Sequence, residues 1–317
     1  MCTALIHNNL FGRTLDLERS YGEQVVVVPR RFPLAFRMQN TLPEHHAIIG
    51  MAHMAQGQPL FYDGINEHGL AMAALNFPHS AVYQPPRKGM VNLAAFELMS
   101  WVLARCSTVA QARQLLEQVN VIGMDFSPGL PSTPLHWLIA DRTQALVAEP
   151  LADGLHLYEN PTGVLTNEPS FPMQLTHLNN YLHLSPYPPQ NHFAPTLSLN
   201  TYSRGMGALG LPGDWSSQSR FVRAAFAAHN STIPADVTRF FRVMACVEVP
   251  GGCVRLEDGT EVLSLYTSCC DLNCGLYHYV TCTNRQISAI ALHGQDLDGD
   301  TISRYPLITE PQIRLQS

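Results

Sequence analysis

The sequence predicts an α+β fold of two mainly antiparallel sheets with helices outside them. Strand-like apolar runs and helical stretches follow one another in the order strands, helices, strands, helices, strands. This order lacks the strict strand–helix alternation of a doubly wound parallel fold, so layered antiparallel sheets fit it better. Hydrophobic residues make up 46% of the chain and charged residues 14%, which suits a large buried core.

The domain organisation is predicted to be simple. A length of 317 residues would suggest about two domains by itself. However, there is no linker, internal repeat or glycine-rich phosphate loop, so we predict one domain over residues 1–317. Residues 184–214, rich in Pro, Gly, Ser and Asn, exceed an ordinary connection, which favours a functional or assembly role for this segment.

The first half is predicted to hold strands and then two helices. Four apolar or β-branched runs bounded by turn residues predict strands: 24–29, 47–52, 61–65 and 70–77. The last two flank a four-residue turn that ends in Gly69, a pattern typical of a hairpin. One helix is predicted around residues 93–103. A second is predicted over 109–119, behind a capping box of Thr108 and Gln111.

The second half is predicted to return to strands on both sides of a second helical region. The predicted strands are 135–140, 145–149, 155–158, 163–167, 262–266, 275–280 and 287–292. Residues 219–228 and 236–244 have the apolar spacing of helices.

Charge and hydropathy exclude several classes of partner. The net charge is −6 and no run is rich in Lys or Arg, so nucleic acid is not an expected partner. No apolar run reaches the length of about 18 residues that a membrane span requires. Residues 1–20 lack the basic-then-apolar pattern of a secretory signal, so we expect a cytoplasmic protein with reduced thiols.

The cysteine and histidine spacing does not predict a metal site. Cys270 and Cys274 are close together, but no second Cys pair or His pair with zinc-ligand spacing follows them. Buried free thiols are the better interpretation of most of the eight cysteines. His45 and His46 precede an apolar run and are interpreted as loop residues. We therefore expect neither a metal nor a cofactor.

Cys2 directly follows Met1. If Met1 is removed, one residue carries both a thiol nucleophile and an α-amine that can serve as its base, an arrangement known for N-terminal Thr. Any chain can carry Cys at this position, so other residues must decide whether it is catalytic.

Polar residues gather at the ends of predicted strands and loops elsewhere in the chain. By residue type alone, Arg13 and Asp16 could form an ordinary ion pair, Asn76 and Asn167 could be turn residues, and Arg220 could clamp a helix. Seven motifs carry more information together: MCTA (1–4), FGRTLD (11–16), DGINEHGL (63–70), LNFP (75–78), VLTNEP (164–169), YSRGMG (202–207) and LPGD (211–214).

In order and spacing these motifs resemble the choloylglycine hydrolase family, whose members are bile salt hydrolases and penicillin V acylases. The resemblance extends from Cys2 to about Tyr305. It implies an N-terminal-nucleophile hydrolase with a four-layer αββα sandwich, which cleaves an amide bond between an apolar acyl group and an amine. It also implies site roles: Cys2 as nucleophile, Arg13 and Asp16 beside it, Asn76 and Asn167 at the oxyanion site, and Arg220 as support.

The resemblance also bears on substrate and assembly. Penicillin V acylases of Gram-positive type often carry Tyr where this chain has Asn76, so conjugated bile salts are the favoured substrate. Residues 184–214 resemble an extension that bile salt hydrolases use to embrace neighbouring subunits, which predicts a homotetramer. By analogy with the family, the pocket wall includes Phe61, Met124, Phe126 and Leu130. The loop residues among these could instead pack back onto the core.

Two other functions stay open at this stage. The same chemistry could act on penicillin V or on another N-acyl amide such as an acyl homoserine lactone. Alternatively, the fold could serve as a catalytically silent binder of apolar ligands. The joint presence of Cys2, Arg13, Asp16 and Asn167 argues against the silent binder.

Overall fold

The computed structural model describes residues 1–231 and 236–316, and its core is two antiparallel sheets packed face to face. The strands in these residues are β1 (Cys2–His7), β2 (Leu10–Leu17), β3 (Gln24–Val28), β4 (Ile48–Ala55), β5 (Gln58–Asn66), β6 (Ala71–Asn76), β7 (Val91–Ala94), β8 (Val119–Ile122), β9 (Leu135–Ala140), β10 (Ala145–Leu151), β11 (Gly154–Glu159), β12 (Val164–Leu165), β13 (Val254–Arg255), β14 (Glu261–Asp271), β15 (Leu276–Thr281), β16 (Ser288–Ala291) and β17 (Ser303–Pro306). The helices are α1 (Leu98–Arg105), α2 (Val109–Leu116), α3 (Phe171–Leu178), α4 (Ser217–Asn230) and α5 (Val237–Ala245).

Helices cover the outer face of each sheet, so the layers run helix, sheet, sheet, helix. The first sheet has the strand order β12-β1-β2-β14-β15-β16, with β13 paired to β14, and α4 and α5 pack on it. The second sheet has the order β11-β10-β9-β6-β5-β4-β3-β17, and α1 and α2 pack on it. All neighbouring strands in both sheets are antiparallel, which confirms the predicted fold class.

Two apolar clusters hold these layers together. Strand β3 shows the division, because Val25 and Val27 belong to the cluster that fills the space between the sheets and continues under α4 and α5, while Val26 and Val28 belong to the cluster under α1 and α2. Successive side chains of a strand point to opposite faces, so a strand buried on both faces needs an unbroken apolar run. This is why residues 24–28 lack the polar alternation of a half-exposed strand.

The region of the first two helices differs from the prediction at both ends. Residues 93–94, predicted as the start of the helix, belong to strand β7, because residues 91–94 pair in parallel with β8. Helix α1 therefore begins at Leu98, and α2 ends at Leu116 because Val119 already belongs to β8. Tertiary pairing outweighs local propensity here. The Thr108 cap is confirmed, since its side chain accepts a hydrogen bond from the Gln111 amide at 3.3 Å.

Three further features went beyond the sequence prediction. Residues 11–16 lie within strand β2, for which no strand was predicted, and residues 171–178 form α3. The described segment 184–214 contains only one short 3₁₀ turn, Met206–Ala208. Its two ends meet where the Ser185 amide donates to the Gly207 carbonyl at 2.9 Å. Among the residues described, none of the helices combines the length and apolar character needed to cross a membrane.

Candidate active site

The pairing of β1 with β2 places Cys2 and Arg13 on one face of the first sheet. Cys2 lies opposite Leu15, and Ala4 lies opposite Arg13, so all four side chains share the face toward the second sheet. Asp16, one position beyond Leu15, lies on the opposite face, toward α4. Cys2 is only 3% exposed, and Arg13 and Asp16 are fully buried.

The Arg13 guanidinium spans the gap between the sheets. Its Nη1 donates to the carbonyl oxygens of Tyr62 at 3.0 Å and Ala74 at 2.6 Å. Its Nη2 has no hydrogen-bond partner among the described residues. Burial lowers the pKa of Arg13, but the Cys2 thiol and nearby acidic groups raise that pKa more strongly, so it ends above its ordinary value. Arg13 thus stays charged beside the thiol.

The Asn167 side chain joins Cys2, Arg220 and Asn76. Its Oδ1 accepts hydrogen bonds from the Cys2 backbone nitrogen at 2.9 Å and from Arg220 Nη2 at 2.7 Å. Its Nδ2 donates to the Asn76 carbonyl at 2.7 Å. Since Arg220 can only donate, Oδ1 must face it, which sets the orientation of the amide. One N–H of Nδ2 is then left for another acceptor.

Arg220 links helix α4 to the first strand. Its Nη1 donates to the Cys2 carbonyl at 2.5 Å and to Thr3 Oγ1 at 2.7 Å. The same nitrogen lies 4.0 Å from Asp16 Oδ2. Asp16 Oδ1 also accepts a hydrogen bond from Ser264 Oγ at 2.6 Å. Burial lowers the pKa of Arg220, and the charges of Asp16 and Cys2 oppose that effect.

Met1 extends the pairing of β1 with β2. Its ammonium group donates to the Asp16 carbonyl at 2.7 Å, and the Asp16 amide donates to the Met1 carbonyl at 3.1 Å. The Cys2 nitrogen is consequently a peptide N–H, and its acceptor is Asn167 Oδ1. Removal of Met1 would turn this nitrogen into an α-amine with an acceptor already in place.

A buried carboxylate beside Arg13, bound by three hydroxyl groups, was not predicted as part of the site. The Asp63 carboxylate accepts hydrogen bonds from Ser268 Oγ, from the Tyr266 hydroxyl at 3.2 Å and from the Tyr277 hydroxyl at 2.9 Å. Ser268 Oγ in turn accepts from the Arg13 amide at 3.1 Å. Burial raises the pKa of Asp63, while Arg13 and the three hydroxyls oppose the rise. The sequence signals were a carboxylate inside an apolar strand and its place at the start of the motif 63–70, neither of which assigned Asp63 to the site.

The four predicted wall residues are not gathered in one place. Phe61 lies in the apolar cluster under α1 and α2, whereas Cys2 lies in the cluster between the sheets. Met124, Phe126 and Leu130 are half-buried in the loop between β8 and β9. Of the four, only Phe126 is among the described residues that line a cavity of about 270 Å³.

That cavity lies between residues 34–37, 56–60 and 96–100, beside the ring of Phe126. Its lining includes Leu34, Leu60, Phe96 and Glu97. The lining is mixed, because Arg37, Gln58 and the buried carboxylate of Glu97 share it with the apolar side chains. The guanidinium carbon of Arg37, which also lines the cavity, lies 5.0 Å from the centroid of Phe126.

One surface group brings possible metal ligands together. Ligand atoms of His46, Glu67 and His68 lie within 4.8 Å of one another. The Glu67 carboxylate is already held by Arg30, whose Nε donates to both oxygens at 3.1 Å, and by the Ala47 amide at 2.8 Å. A cation there would have to displace this arginine, so the chemistry of the group does not favour a metal.

Comparison with known proteins places this site in a family. The sequence model of the linear amide C–N hydrolases, choloylglycine hydrolase family, matches residues 2–305. The chain belongs to this family. It is 44% identical to a bile salt hydrolase/transferase of Lactiplantibacillus plantarum, over 98% of each chain.

Solved structures agree with the family assignment. A mutant conjugated bile acid hydrolase from Clostridium perfringens superposes with a TM-score of 0.94 at 33% identity, over 100% of both chains. A penicillin V acylase from Agrobacterium tumefaciens has a TM-score of 0.75 at 20% identity, over 96% of this chain and 90% of its own, and so shares the fold. This choloylglycine hydrolase family member is accordingly an enzyme that hydrolyses linear amide bonds.

Proposed function

We propose that the protein hydrolyses the amide bond of glycine- or taurine-conjugated bile salts, with Cys2 as the nucleophile. The observation that carries the proposal is the network around Cys2, in which Asn167 and Arg220 bind the Cys2 backbone and the charge of Arg13 acts on its nearly buried thiol. The similarity to bile salt hydrolases, and Asn76 in place of Tyr, favour bile salts over penicillin V.

Activation of Cys2 begins with removal of Met1. The freed α-amine, with an ordinary pKa of roughly 7.7–8.0, is partly neutral near pH 7 and takes the thiol proton. The positive charge of Arg13 stabilises the resulting thiolate. Asn167 Oδ1 holds the amine nitrogen. Asp16 balances the charge of Arg220, which lies 4.0 Å from it and binds the Cys2 carbonyl.

The thiolate sulfur then attacks the amide carbonyl. The remaining N–H of Asn167 Nδ2 and the backbone N–H of Asn76 stabilise the oxyanion. The hydrogen bond from Asn167 Nδ2 to the Asn76 carbonyl keeps these two residues together. The C–N bond breaks as the protonated α-amine returns its proton to the leaving nitrogen. Water finally splits the thioester and releases the bile acid.

The proposed steroid site is the apolar surface near the loop between β8 and β9. Met124, Phe126 and Leu130 are half-buried there, which leaves part of each side chain free to contact a ligand. Phe61 is 7% exposed and packs in the helix-side cluster, so its proposed contribution is to support this wall from behind.

The proposed assembly is a homotetramer in the cytoplasm. Within residues 184–214, Tyr187, Phe193 and Tyr202 are at least 75% exposed. Large apolar side chains that protrude from one loop are typical of a contact with another chain. All eight cysteines are free, which fits a reducing compartment.

The substrate proposal is tested by turnover of glycocholate, taurocholate and penicillin V on one preparation of the purified protein. We expect the kcat/KM for at least one bile salt to exceed that for penicillin V. A much faster turnover of penicillin V would reject the preferred substrate while leaving the amidase chemistry in place.

The nucleophile is tested by Cys2→Ala. We expect turnover to fall by about four orders of magnitude or more, because removal of a nucleophile eliminates the covalent route. Mass spectrometry of the active wild-type protein should show that Met1 is absent. Undiminished release of glycine or taurine by the variant, or full retention of Met1 in active protein, would reject the mechanism.

A further inference from the structure

His136 and Glu149 form a buried pair that the proposed chemistry does not use. They lie on the neighbouring strands β9 and β10 of the second sheet, and neither side chain has any exposed surface. His136 Nδ1 is 3.2 Å from Glu149 Oε1, and His136 Nε2 is 3.0 Å from the Thr166 carbonyl oxygen. Burying two titratable groups costs desolvation free energy, which must be offset by good geometry and hydrogen bonds. The contacts of this pair therefore need an explanation.

The donors and acceptors around this pair determine where its protons lie. A carbonyl oxygen can only accept, so Nε2 of His136 must carry the proton that it donates to Thr166. The contact between Nδ1 and Glu149 Oε1 then needs one more proton between the two atoms. Oε1 also accepts a hydrogen bond from the Phe171 amide at 2.9 Å, whereas Oε2 has no hydrogen-bond partner among the described residues.

Through these contacts the pair holds both ends of the segment that carries Asn167. Thr166, which His136 binds, immediately precedes Asn167 in the chain. Phe171, which Glu149 binds, is the first residue of α3 and closes the turn after Asn167. The segment is therefore anchored to the second sheet on each side of Asn167, although Asn167 itself contacts Cys2 of the first sheet.

The His136 ring also braces the other oxyanion segment. It stacks on the ring of Phe77 with a centroid distance of 4.2 Å and an interplanar angle of 7°. Phe77 directly follows Asn76, whose carbonyl accepts from Asn167 Nδ2. One side chain thus contacts the chain neighbours of both proposed oxyanion residues, while contacting neither of them through a hydrogen bond that the structure describes.

We propose that His136, held by Glu149, is a positioning residue that sets the spacing between Asn76 and Asn167. This inference rests on the proposed function, because it assigns His136 to the oxyanion site of that reaction. Oxyanion donors act through geometry, and a misplacement of about 1 Å can reduce the rate about 100-fold. The effect should appear in kcat rather than in KM, since the oxyanion forms only during the reaction.

The test compares His136→Leu with His136→Gln. Leu removes both hydrogen bonds, whereas the amide nitrogen of Gln takes the position of Nε2 and keeps the donor to Thr166. With glycocholate we expect His136→Leu to lower kcat about 10- to 100-fold with little change in KM. His136→Gln should recover part of that loss, because it restores the bond to Thr166 but neither the contact with Glu149 nor the stack on Phe77.

His278→Leu serves as the matched control. His278 is a half-buried strand histidine of the first sheet, and its Nδ1 lies 3.1 Å from the Cys269 carbonyl oxygen. The His278→Leu variant should be less stable than wild type, but its kcat per folded molecule should stay close to that of wild type. If His136→Leu fails to fold, Glu149→Gln takes its place, with an expected loss of kcat of about tenfold, the scale of one charge-assisted hydrogen bond.

The outcomes separate the two proposals. If the wild-type protein cleaves none of the tested amides, the proposed function fails, and the positioning role is then judged from a crystal structure of the folded His136 or Glu149 variant. There the distance of 2.7 Å between Asn167 Nδ2 and the Asn76 carbonyl should increase. An active wild type with unchanged kcat in the folded variants, or an unchanged distance, would overturn the positioning role.

Discussion

The polar centre around Cys2 and the segment 184–214 differ in burial and in the number of contacts that their side chains make within the chain. In the centre, Arg13, Asp16 and Arg220 are fully buried, and each is bound by neighbours from different elements. In the segment, Phe193 and Tyr202 are each 84% exposed. The same chain thus buries charged groups at one place and exposes aromatic rings at another.

The difference shows which constraint acts on each region. A buried charge without partners is strongly unfavourable, so the fold itself requires each member of the centre. An exposed aromatic ring buries little apolar surface within a single chain and so stabilises that chain little. The exposed rings of the segment are therefore better explained by a contact with another chain. This contrast predicts that changes in the centre reduce both activity and stability, whereas changes of the exposed aromatic residues in the segment affect assembly alone.

Among changes that keep the Cys2 nucleophile, the largest effect is expected for Asn167→Ala. The change removes an oxyanion donor and leaves the Cys2 nitrogen and Arg220 Nη2 without their acceptor. We expect kcat to fall about 10²- to 10³-fold. The measurement is kcat for glycocholate per folded molecule, with folding monitored by circular dichroism.

Asn160→Ala is the control for that change. Asn160 is equally buried, but its side chain holds only a turn, where Oδ1 accepts from the Gly163 amide at 2.9 Å. It should cost about 1–3 kcal/mol of unfolding free energy with kcat nearly unchanged. Equal losses of kcat in both variants would mean that Asn167 acts through stability alone.

A smaller effect is expected at Asp214, where the segment joins α4. Its carboxylate accepts from the Ser216 amide at 2.9 Å and from Ser219 Oγ at 2.6 Å. These bonds lower the pKa of Asp214 from 3.8 to about 2. A carboxyl group with a lowered pKa in the folded state stabilises the fold above its unfolded pKa, and that contribution is lost as the pH falls toward the folded pKa.

Asp214→Asn should therefore be less stable than wild type at pH 7, by about 1 kcal/mol or less. The gap should stay constant down to about pH 4 and close as the pH approaches 2. Urea unfolding at several pH values measures it. A gap that widens toward low pH would contradict the assigned role of the ionised carboxylate.

The smallest effect on activity is expected for the double change Phe193→Ser and Tyr202→Ser. Both rings are 84% exposed in the single chain. Their replacement should therefore change kcat and the unfolding midpoint of the monomer only a little. Light scattering should show a mass below that of the tetramer. The control is Leu315→Ser, since Leu315 is 89% exposed but lies outside the segment. A double variant that stays tetrameric would remove the segment from the assembly interface.

Much of the fold could be predicted because it depends on local patterns. Unbroken apolar runs such as residues 24–28 predict strands buried on both faces, and Thr108 predicts the start of α2. The prediction was wrong at residues 93–94, where the start of the predicted helix belongs to strand β7. Pairing with β8 decides that segment, and its partner lies 28 positions away in the register Val91 to Val119.

The chemical roles at the site stay predictions, but the placement of the six proposed residues is a finding. Cys2, Arg13, Asp16, Asn76, Asn167 and Arg220 are linked by hydrogen bonds or charge contacts. The contact of Cys2 with Asn167 spans 165 positions of the chain. His136 and Glu149 gave only the weak signal of a polar residue within an apolar strand, and Asp63 was part of a motif but was not assigned to the site.

By itself the sequence determined which reactive groups the chain carries: a thiol next to Met1, the two arginines Arg13 and Arg220, the two asparagines Asn76 and Asn167, and apolar runs that must become buried strands. The tertiary structure alone decided which of these groups meet. The alternation of side chains along β2 sends Arg13 toward the second sheet and Asp16 toward α4. Strand formation depends on neighbouring residues, whereas the partners of a buried polar group depend on register and layer packing, which distant parts of the chain set together.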